Sequence, residues 1–221
     1  MRFNTRAHAG KLLAKTLATF LTEKYPDMDA VIYALPRGGV PLGFEVALAL
    51  DMPLDLIIPR KIGHPFNPEY AIGAVTESGE TICNEAELAQ LDSDWFEQET
   101  KKEMTEAKRR RECYLSGREP VAIKDKLAIL VDDGIATGLT MRAAICELKN
   151  RHPDKIIVAI PVIPEDTAKL LNSEVDNVVA LLIDPQYQGS VGSYYKYFYQ
   201  LADEEVIRLL NQLDENNKPT H

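Results

Sequence analysis

The sequence predicts an α/β fold, in which a mostly parallel five-stranded sheet is flanked by helices. Short apolar runs alternate with helical segments along the chain, which is typical of a parallel sheet. The run 127–131 is continuously apolar, as expected of a strand that helices cover on both faces. At 221 residues with 45% hydrophobic content, the chain is long enough for one such domain over residues 1–221.

The first element is predicted from the N-terminal segment. This segment is basic and apolar before its first acid, Glu23, and so resembles a transit peptide. We interpret it instead as a helix, because it runs into a strand at 30–35 without a linker. A glycine turn at 36–39 ends that strand, and a helix follows over 40–50. Further strands are predicted over 54–59, 127–131, 155–160 and 175–183, and further helices over 138–150, 165–171 and 206–213.

A small hairpin and a helical insertion interrupt the alternation. Two short β-rich runs, 72–75 and 81–83, are predicted to pair with each other around a serine–glycine turn. The insertion spans about 85–115, and capping side chains favour its start. Ser93 offers a second helix start, so we expect a break near Asp92.

The insertion and the C-terminal region are predicted only in outline. The basic run 108–111 is surrounded by glutamates, so we interpret it as a solvated helix face. Alternatively, the insertion could cover the functional site or form a contact between two copies of the chain. The region 184–213 is expected to form a small hood and a last helix outside the core at 30–183. The polar end from Asp214 is expected to fray.

Composition excludes several classes of protein. The net charge of −9 and the pI near 5.0 argue against a nucleic-acid surface, which would be basic. No apolar stretch approaches the roughly 20 residues that cross a bilayer, so no membrane partner is expected. The three cysteines are odd in number and widely spaced, which indicates reduced thiols in the cytoplasm rather than a zinc site or disulfides.

The most informative segment follows the central apolar strand. Asp132 and Asp133 stand at the carboxyl end of that strand, where open α/β sheets bind ligands. Backbone N–H groups over 136–140 can surround an anion at the start of the next helix. Thr137 and Thr140 add hydroxyl donors. The acids would accept hydrogen bonds from vicinal hydroxyls nearby, so the segment predicts a site for a sugar phosphate such as ribose 5-phosphate. Small residues keep side-chain bulk out of this turn, so that its backbone can approach the anion; they are Gly134, Ala136 and Gly138.

The run Val131-Asp-Asp-Gly-Ile-Ala-Thr-Gly-Leu-Thr140 resembles the phosphoribosyl-pyrophosphate (PRPP) signature of type I phosphoribosyltransferases. It is most similar to the form in adenine phosphoribosyltransferases, with Leu139 where a glycine is usual. The alternatives are a plain sheet terminus and the acid pocket of a receiver domain. In a receiver domain the acidic pair belongs to the first strand, and no Ala-Thr-Gly-x-Thr loop accompanies it. This difference argues against a receiver domain here.

The resemblance covers about 30–183 and implies the type I fold, PRPP as substrate and Mg²⁺ as cofactor. Asp132 and Asp133 would hold the ribose hydroxyls and assist the ion mainly from outside or through water. The residues implied to contact PRPP in this segment are Asp132, Asp133, Ala136, Thr137, Gly138, Leu139 and Thr140.

A second anion-binding element is predicted at the end of the first strand. Gly38 and Gly39 permit close backbone approach, and Arg37 offers a planar fork to phosphate oxygens. By itself the pattern also fits a plain turn. In the type I family this position holds the pyrophosphate loop, which Arg37, Gly38 and Gly39 resemble.

A third element is predicted at the end of the second strand. Arg60 and Lys61 lead into a Gly-, Pro- and Asn-rich stretch, so we expect a loop over 58–69 that closes like a lid. The pair resembles the Arg-Lys pair that precedes the mobile catalytic loop of adenine and orotate phosphoribosyltransferases. The resemblance implies that Arg60 and Lys61 stabilise the leaving pyrophosphate, and that Asp133 also has a catalytic role.

The acceptor is less well specified. Type I phosphoribosyltransferases that act on 6-oxopurines carry an aspartate at the position of Ala136. The resemblance therefore disfavours hypoxanthine and guanine as acceptors. His64 and Glu69, in the expected lid, are candidates to assist proton movement, with solvated side chains as the alternative. Tyr187 and its aromatic neighbours could stack on a flat acceptor, or pack on the first helix. These neighbours are Tyr194, Tyr195 and Phe198.

Two functions remain open from the sequence. The first is a Mg²⁺-dependent transferase that moves the phosphoribosyl group of PRPP to a nitrogenous acceptor. The second is a non-catalytic regulator that binds PRPP. Arg60 and Lys61 favour the enzyme, because a sensor needs the phosphate loop more than cations for a leaving group. A cytoplasmic homodimer is the expected form.

Overall fold

The structure, a computed structural model, describes residues 2–216. It confirms the α/β prediction: five parallel strands form a main sheet with helices on both faces. These strands are β1 (Ala30–Ala34), β2 (Leu54–Leu56), β6 (Leu127–Val131), β7 (Lys155–Pro164) and β8 (Asn177–Asp184). Their order in the sheet is β2-β1-β6-β7-β8. The helices are α1 (Arg6–Lys24), α2 (Val40–Leu50), α3 (Glu85–Leu88), α4 (Ser93–Leu115), α5 (Leu139–Asn150), α6 (Glu165–Asn172) and α7 (Asp203–Asn216).

The pairing of β1 with β6 positions the two sequence motifs. The strands are parallel and in register from Ala30 opposite Leu127 to Ala34 opposite Val131. Their carboxyl ends therefore lie side by side at one edge of the sheet, and the segments after Leu35 and after Val131 face each other there. The Leu35 N–H donates to the Val131 carbonyl at 3.0 Å, which continues the pairing past the end of β1.

Each face of the main sheet is covered by its own set of helices. On one face, Ile32 and Ile129 pack in a cluster with Leu13 of α1 and Leu42 of α2. On the other face, Val31, Leu130 and Val158 pack with α5 and α6. All five residues of β1 and of β6 are buried, which explains the uninterrupted apolar runs in the sequence.

A second, antiparallel sheet corrects two predictions. The strand expected over 54–59 ends at Leu56, and the loop expected over 58–69 is a hairpin. The second sheet has the order β3-β4-β5, from β3 (Arg60–His64), β4 (Asn67–Val75) and β5 (Thr81–Cys83). The pairing of β4 with β5 confirms the predicted hairpin. The additional strand forms because Ile62, Ile72 and Val75 are buried together under the insertion, which the local composition does not reveal.

The insertion is helical and breaks at the predicted place. Asp92 caps α4, since its carboxylate accepts from the Asp94 N–H at 2.8 Å; the capping residue is thus one position before the serine we expected. The interpretation of the basic run as a solvated face is wrong for one residue. Arg111 donates to the buried carboxylates of Asp55 and Glu77 at 3.2 and 3.1 Å.

Other boundaries shift by a few residues. β7 continues four residues beyond the predicted end at Ile160, and β8 spans Asn177–Asp184 instead of 175–183. α7 is longer than the predicted 206–213 and includes Asp214, which pairs with Arg118 at 2.6 Å. The rest of the end that we expected to fray, 217–221, lies outside the described residues. Within 2–216, no helix has the length and apolarity that crossing a bilayer requires.

We predict that Arg111→Met lowers the free energy of unfolding by about 3 kcal/mol. The substitution leaves the carboxylates of Asp55 and Glu77 buried without this cation. Urea denaturation measures the change. The control is Arg109→Met, which removes a solvent-exposed pair with Glu106 and should change the stability far less. Equal losses in the two variants would contradict a buried ionic anchor.

Candidate active site

Each of the two acids after β6 uses one carboxylate oxygen in a hydrogen bond within the protein. Asp132 Oδ1 accepts from the Asp133 N–H at 2.8 Å, and Asp133 Oδ2 accepts from Arg6 Nε at 2.8 Å. Within residues 2–216, no protein donor reaches Asp132 Oδ2 or Asp133 Oδ1. Each carboxylate therefore has one oxygen fixed by the protein and one available to a ligand, which suits a pair of neighbouring hydroxyl groups.

Burial and charge act in opposite directions on these acids. Burial raises the pKa of Asp132 well above the usual range, and the charge of Asp133 raises it further. Burial also raises the pKa of Asp133, although the Arg6 guanidinium and the Lys61 ammonium oppose that rise. Nearby cations therefore favour the ionised form of the pair.

The turn after the acids presents unpaired backbone donors. Gly138 is the N-cap residue immediately before α5, and its φ of 81° lies in the left-handed region, which glycine adopts readily. In the part of the chain that the structure describes, the N–H groups from Ala136 to Thr140 donate to no protein acceptor. Free N–H groups at a helix N-terminus form a site for an anion such as phosphate.

A cavity of about 340 Å³ opens over this turn and brings the two strand-end segments together. It reaches Leu35 and Pro36 after β1, and Val191 from the C-terminal region also borders it. Leu139 is not part of the lining. The predicted site residues that line the cavity are Arg60, Lys61, Asp132, Asp133, Ala136, Thr137, Gly138 and Thr140.

The glycine turn after β1 lies directly against the acids. A Cβ atom at Gly38 would lie 2.2 Å from Asp133 Oδ2, and one at Gly39 would lie 2.5 Å from the Val131 carbonyl oxygen. Only glycine fits at these two positions. Arg37 is placed differently from our expectation, because its guanidinium pairs with Asp203 at 3.3 Å instead of lining the cavity.

The Arg-Lys pair stands at the start of β3 in the second sheet, and not at the end of a strand of the main sheet. Arg60 and Lys61 pair with Val75 and Ala74 of β4. Arg60 Nε also donates to Glu103 of α4 at 2.8 Å, so part of its charge is neutralised. Lys61 is exposed, and no carboxylate of residues 2–216 lies within 4.0 Å of it. Lys61 is thus the cation of the pair that is available to a ligand.

The predicted acceptor residues do not line the cavity. His64 lies near the tip of the β3–β4 hairpin with its ring centroid 5.7 Å from that of Phe66, and Glu69 is exposed on β4. Tyr187 stacks on Tyr194 at 5.4 Å in the core under the main sheet, where burial raises its pKa to about 12. Its hydroxyl is buried without a hydrogen-bond partner in the described structure. Their acceptor roles stay predictions.

Two residues of this site were missed by sequence reasoning. Arg6, which we considered only as part of the first helix, contacts Asp133 from across the molecule. Val191 borders the cavity from a short 3₁₀ helix, Val191–Tyr194. Neither belongs to a local motif, and only the fold brings them to the acids. The sequence signal that could have drawn attention to Arg6 was its position, as a basic residue at the start of a helix.

The donors at this site suit a hard cation. Mg²⁺ binds carboxylate and substrate oxygens while keeping several waters, so two carboxylate oxygens without protein donors fit an ion held largely through water. Within 2–216, no three His, Cys, Asp or Glu side chains converge into a closed metal site.

Comparisons with known proteins agree with this geometry. The family model described as the phosphoribosyl transferase domain matches residues 5–190. Curated proteins of two Mycobacterium tuberculosis strains, CDC 1551 and H37Rv, provisionally named phosphoribosyl transferases, are each 38% identical over 213 residues. The match covers 95% of this chain and 46% of theirs, so the chain spans about half the length of these relatives.

A solved structure extends the comparison to the fold. The crystal structure of TT1426 from Thermus thermophilus is 37% identical and superposes with a TM-score of 0.78, over 96% of this chain and 99% of that chain. The resemblance carried by Val131 to Thr140 is thereby confirmed at the level of the family. The chain belongs to the phosphoribosyl transferase domain family.

Proposed function

We propose that the protein is a Mg²⁺-dependent phosphoribosyltransferase that transfers the 5-phosphoribosyl group of PRPP to a nitrogenous acceptor and releases pyrophosphate. The observation that carries this proposal is one cavity whose lining combines the turn after β6, two carboxylates and Lys61. Among the described residues, the N–H groups of this turn, one oxygen of each carboxylate and the lysine ammonium have no protein partner. PRPP has a matching set of groups: a 5-phosphate, two vicinal hydroxyls and a pyrophosphate.

The ribose phosphate would be held by the turn after β6. The N–H groups from Ala136 to Thr140 would surround the 5-phosphate, with the hydroxyls of Thr137 and Thr140 as further donors. Asp132 Oδ2 and Asp133 Oδ1 would accept from the ribose hydroxyls. The sugar is then fixed at both ends, which orients C1 for attack.

The pyrophosphate would lie between the Gly38–Gly39 turn and β3. As the bond from C1 to the pyrophosphate oxygen breaks, negative charge would grow on the leaving group, and Lys61, which lines the cavity, would stabilise it. Arg60 is weaker in this role because Glu103 shares its charge. Bound Mg²⁺ would supply further neutralisation of the pyrophosphate, with Asp132 and Asp133 as its protein neighbours.

The acceptor nitrogen would attack C1 from the face opposite the pyrophosphate and give up a proton. Ala136 offers no carboxylate for the ring nitrogen of a 6-oxopurine, which supports acceptors other than hypoxanthine and guanine. We place the reaction in the cytoplasm, where Cys83, Cys113 and Cys146 would remain unpaired, as the structure has them. The homodimer stays a prediction.

A PRPP-responsive regulator is the second candidate. It needs the same phosphate turn and acid pair, but no cation for the leaving group. The exposed ammonium of Lys61 within the cavity favours the transferase, because a pure sensor gains little from a charge placed to stabilise departing pyrophosphate.

We predict that changing Asp132 and Asp133 together to Asn weakens PRPP binding on the order of 100-fold, because charge-assisted hydrogen bonds to two hydroxyls become neutral ones. Calorimetry with Mg²⁺ measures the dissociation constant. Asp51→Asn, an exposed residue at the end of α2, is the matched control and should bind PRPP normally. Unaltered affinity in the double variant would refute the assignment of the sugar site.

Lys61→Ala should reduce the rate of pyrophosphate release roughly 100-fold, with a much smaller effect on PRPP affinity. The ammonium is expected to act mainly as charge develops on the leaving group. Single-turnover kinetics and calorimetry separate the two quantities, and Lys124→Ala, which removes another exposed lysine, is the control. If rate and affinity fell by the same factor, the leaving-group role would be wrong.

A panel of bases and amines assayed for pyrophosphate release from PRPP tests the function as a whole. We expect release with an acceptor such as adenine, an orotate-like base or an amine, and none with hypoxanthine or guanine. Turnover with the 6-oxopurines would overturn the argument from Ala136. Tight PRPP binding without release across the panel would establish the regulator instead.

A further inference from the structure

Arg6 is fixed in one place by three separate interactions. Its Nε donates to Asp133 Oδ2 at 2.8 Å, and its Nη1 donates to the Tyr199 carbonyl at 2.7 Å. The guanidinium carbon lies 3.8 Å from the centroid of the Phe198 ring. The side chain is 11% exposed, so this arginine is largely removed from water in a specific orientation. A guanidinium held in this way can orient the group that it contacts.

The contact constrains which carboxylate oxygen of Asp133 can meet a ligand. Oδ2 is engaged by Arg6, while Oδ1 has no donor among the described residues. Asp133 is held at two further points: Gly38 lies against its side-chain Oδ2, and the Tyr195 hydroxyl donates to its backbone carbonyl at 2.6 Å. Asp133 is therefore clamped with one oxygen left free.

We infer that Arg6 is a positioning residue for the sugar site, which holds Asp133 so that Oδ1 accepts a ribose hydroxyl. This inference rests on the proposed function and adds to it a residue outside every motif of the sequence. Arg6 does not line the cavity, so it acts through Asp133 and not by contact with the substrate.

The contacts of Arg6 depend on the pairing of residues 3–4 with the segment 194–197. Phe3 and Tyr195 form a parallel bridge, in which the Phe3 N–H donates to the Tyr194 carbonyl at 2.7 Å and the Lys196 N–H donates to the Phe3 carbonyl at 2.8 Å. The Tyr197 N–H donates to the Asn4 carbonyl at 3.0 Å. Arg6 follows directly in α1 and takes its second acceptor from this C-terminal segment. The sugar site is thus complete only when these segments are paired.

Arg6→Ala, Arg6→Lys and the wild type are compared by calorimetry with PRPP and Mg²⁺. Alanine should weaken PRPP binding about 10- to 100-fold, because Asp133 loses its charged donor. Lysine should restore part of the affinity, and millimolar methylguanidinium should restore part of it to the alanine variant. Both effects require a cation beside Asp133, and a purely structural role would produce neither.

Lys11→Ala removes one positive charge from the same helix at an exposed position and is the matched control. It should bind PRPP as the wild type does. The melting temperature of each variant is measured, so that a loss of fold is recognised. Thr5, which caps α1 by accepting from the His8 N–H, is unchanged in all of them.

The outcomes separate the inference from the proposed function. Wild-type affinity in Arg6→Ala overturns the positioning role alone, and so does tighter binding, which would mean that Arg6 competes with the hydroxyl for Asp133. A weak variant with a lower melting temperature, rescued by neither lysine nor methylguanidinium, also overturns it. Failure of the wild type to bind PRPP overturns the proposed function and the inference together.

Discussion

The whole site depends on the close packing of two turns at the end of a parallel strand pair. β1 and β6 end side by side, and Gly38 and Gly39 let the first turn touch the backbone and the acid of the second. Any side chain at either glycine would displace Val131 or Asp133. The turn that we propose for the pyrophosphate and the turn that we propose for the sugar are therefore packed as one unit, held by the register of the sheet.

The helical insertion supports this unit from outside. Glu103 of α4 holds Arg60, and the Tyr114 hydroxyl donates to Asp203 at 2.7 Å, the same carboxylate that binds Arg37. The hydrogen bond from Tyr114 is also the main reason that the pKa of Asp203 is lowered, so this acid stays charged opposite Arg37. The insertion thus constrains two of the three basic side chains that sequence reasoning assigned to phosphate binding.

What could be predicted from the sequence was local, and what was missed was not. The strand 127–131, its acids and the turn after them form one continuous segment, so hydrophobic pattern and residue type were enough to locate them. Arg6 reaches Asp133 across 127 positions of the chain, and Arg111 reaches Asp55 across 56. No periodicity or spacing in the sequence indicates contacts between positions so far apart. Arg111 was misinterpreted because a charge on a polar helix is usually solvated.

The strand in place of the expected lid changes how catalysis can work here. Lys61 pairs with Ala74 in β3, and the hairpin rests on a buried apolar cluster that includes Ile62 and Ile72. A cation on such a strand is in position before the substrate binds, so under the proposed function stabilising the leaving group would require no loop closure. The distal part of the hairpin lacks this support, since Phe66 is 89% exposed and the first four residues of β4 are exposed as well. Under the proposed function, charge stabilisation would therefore come from a cation that a paired strand holds and not from one carried on an irregular loop.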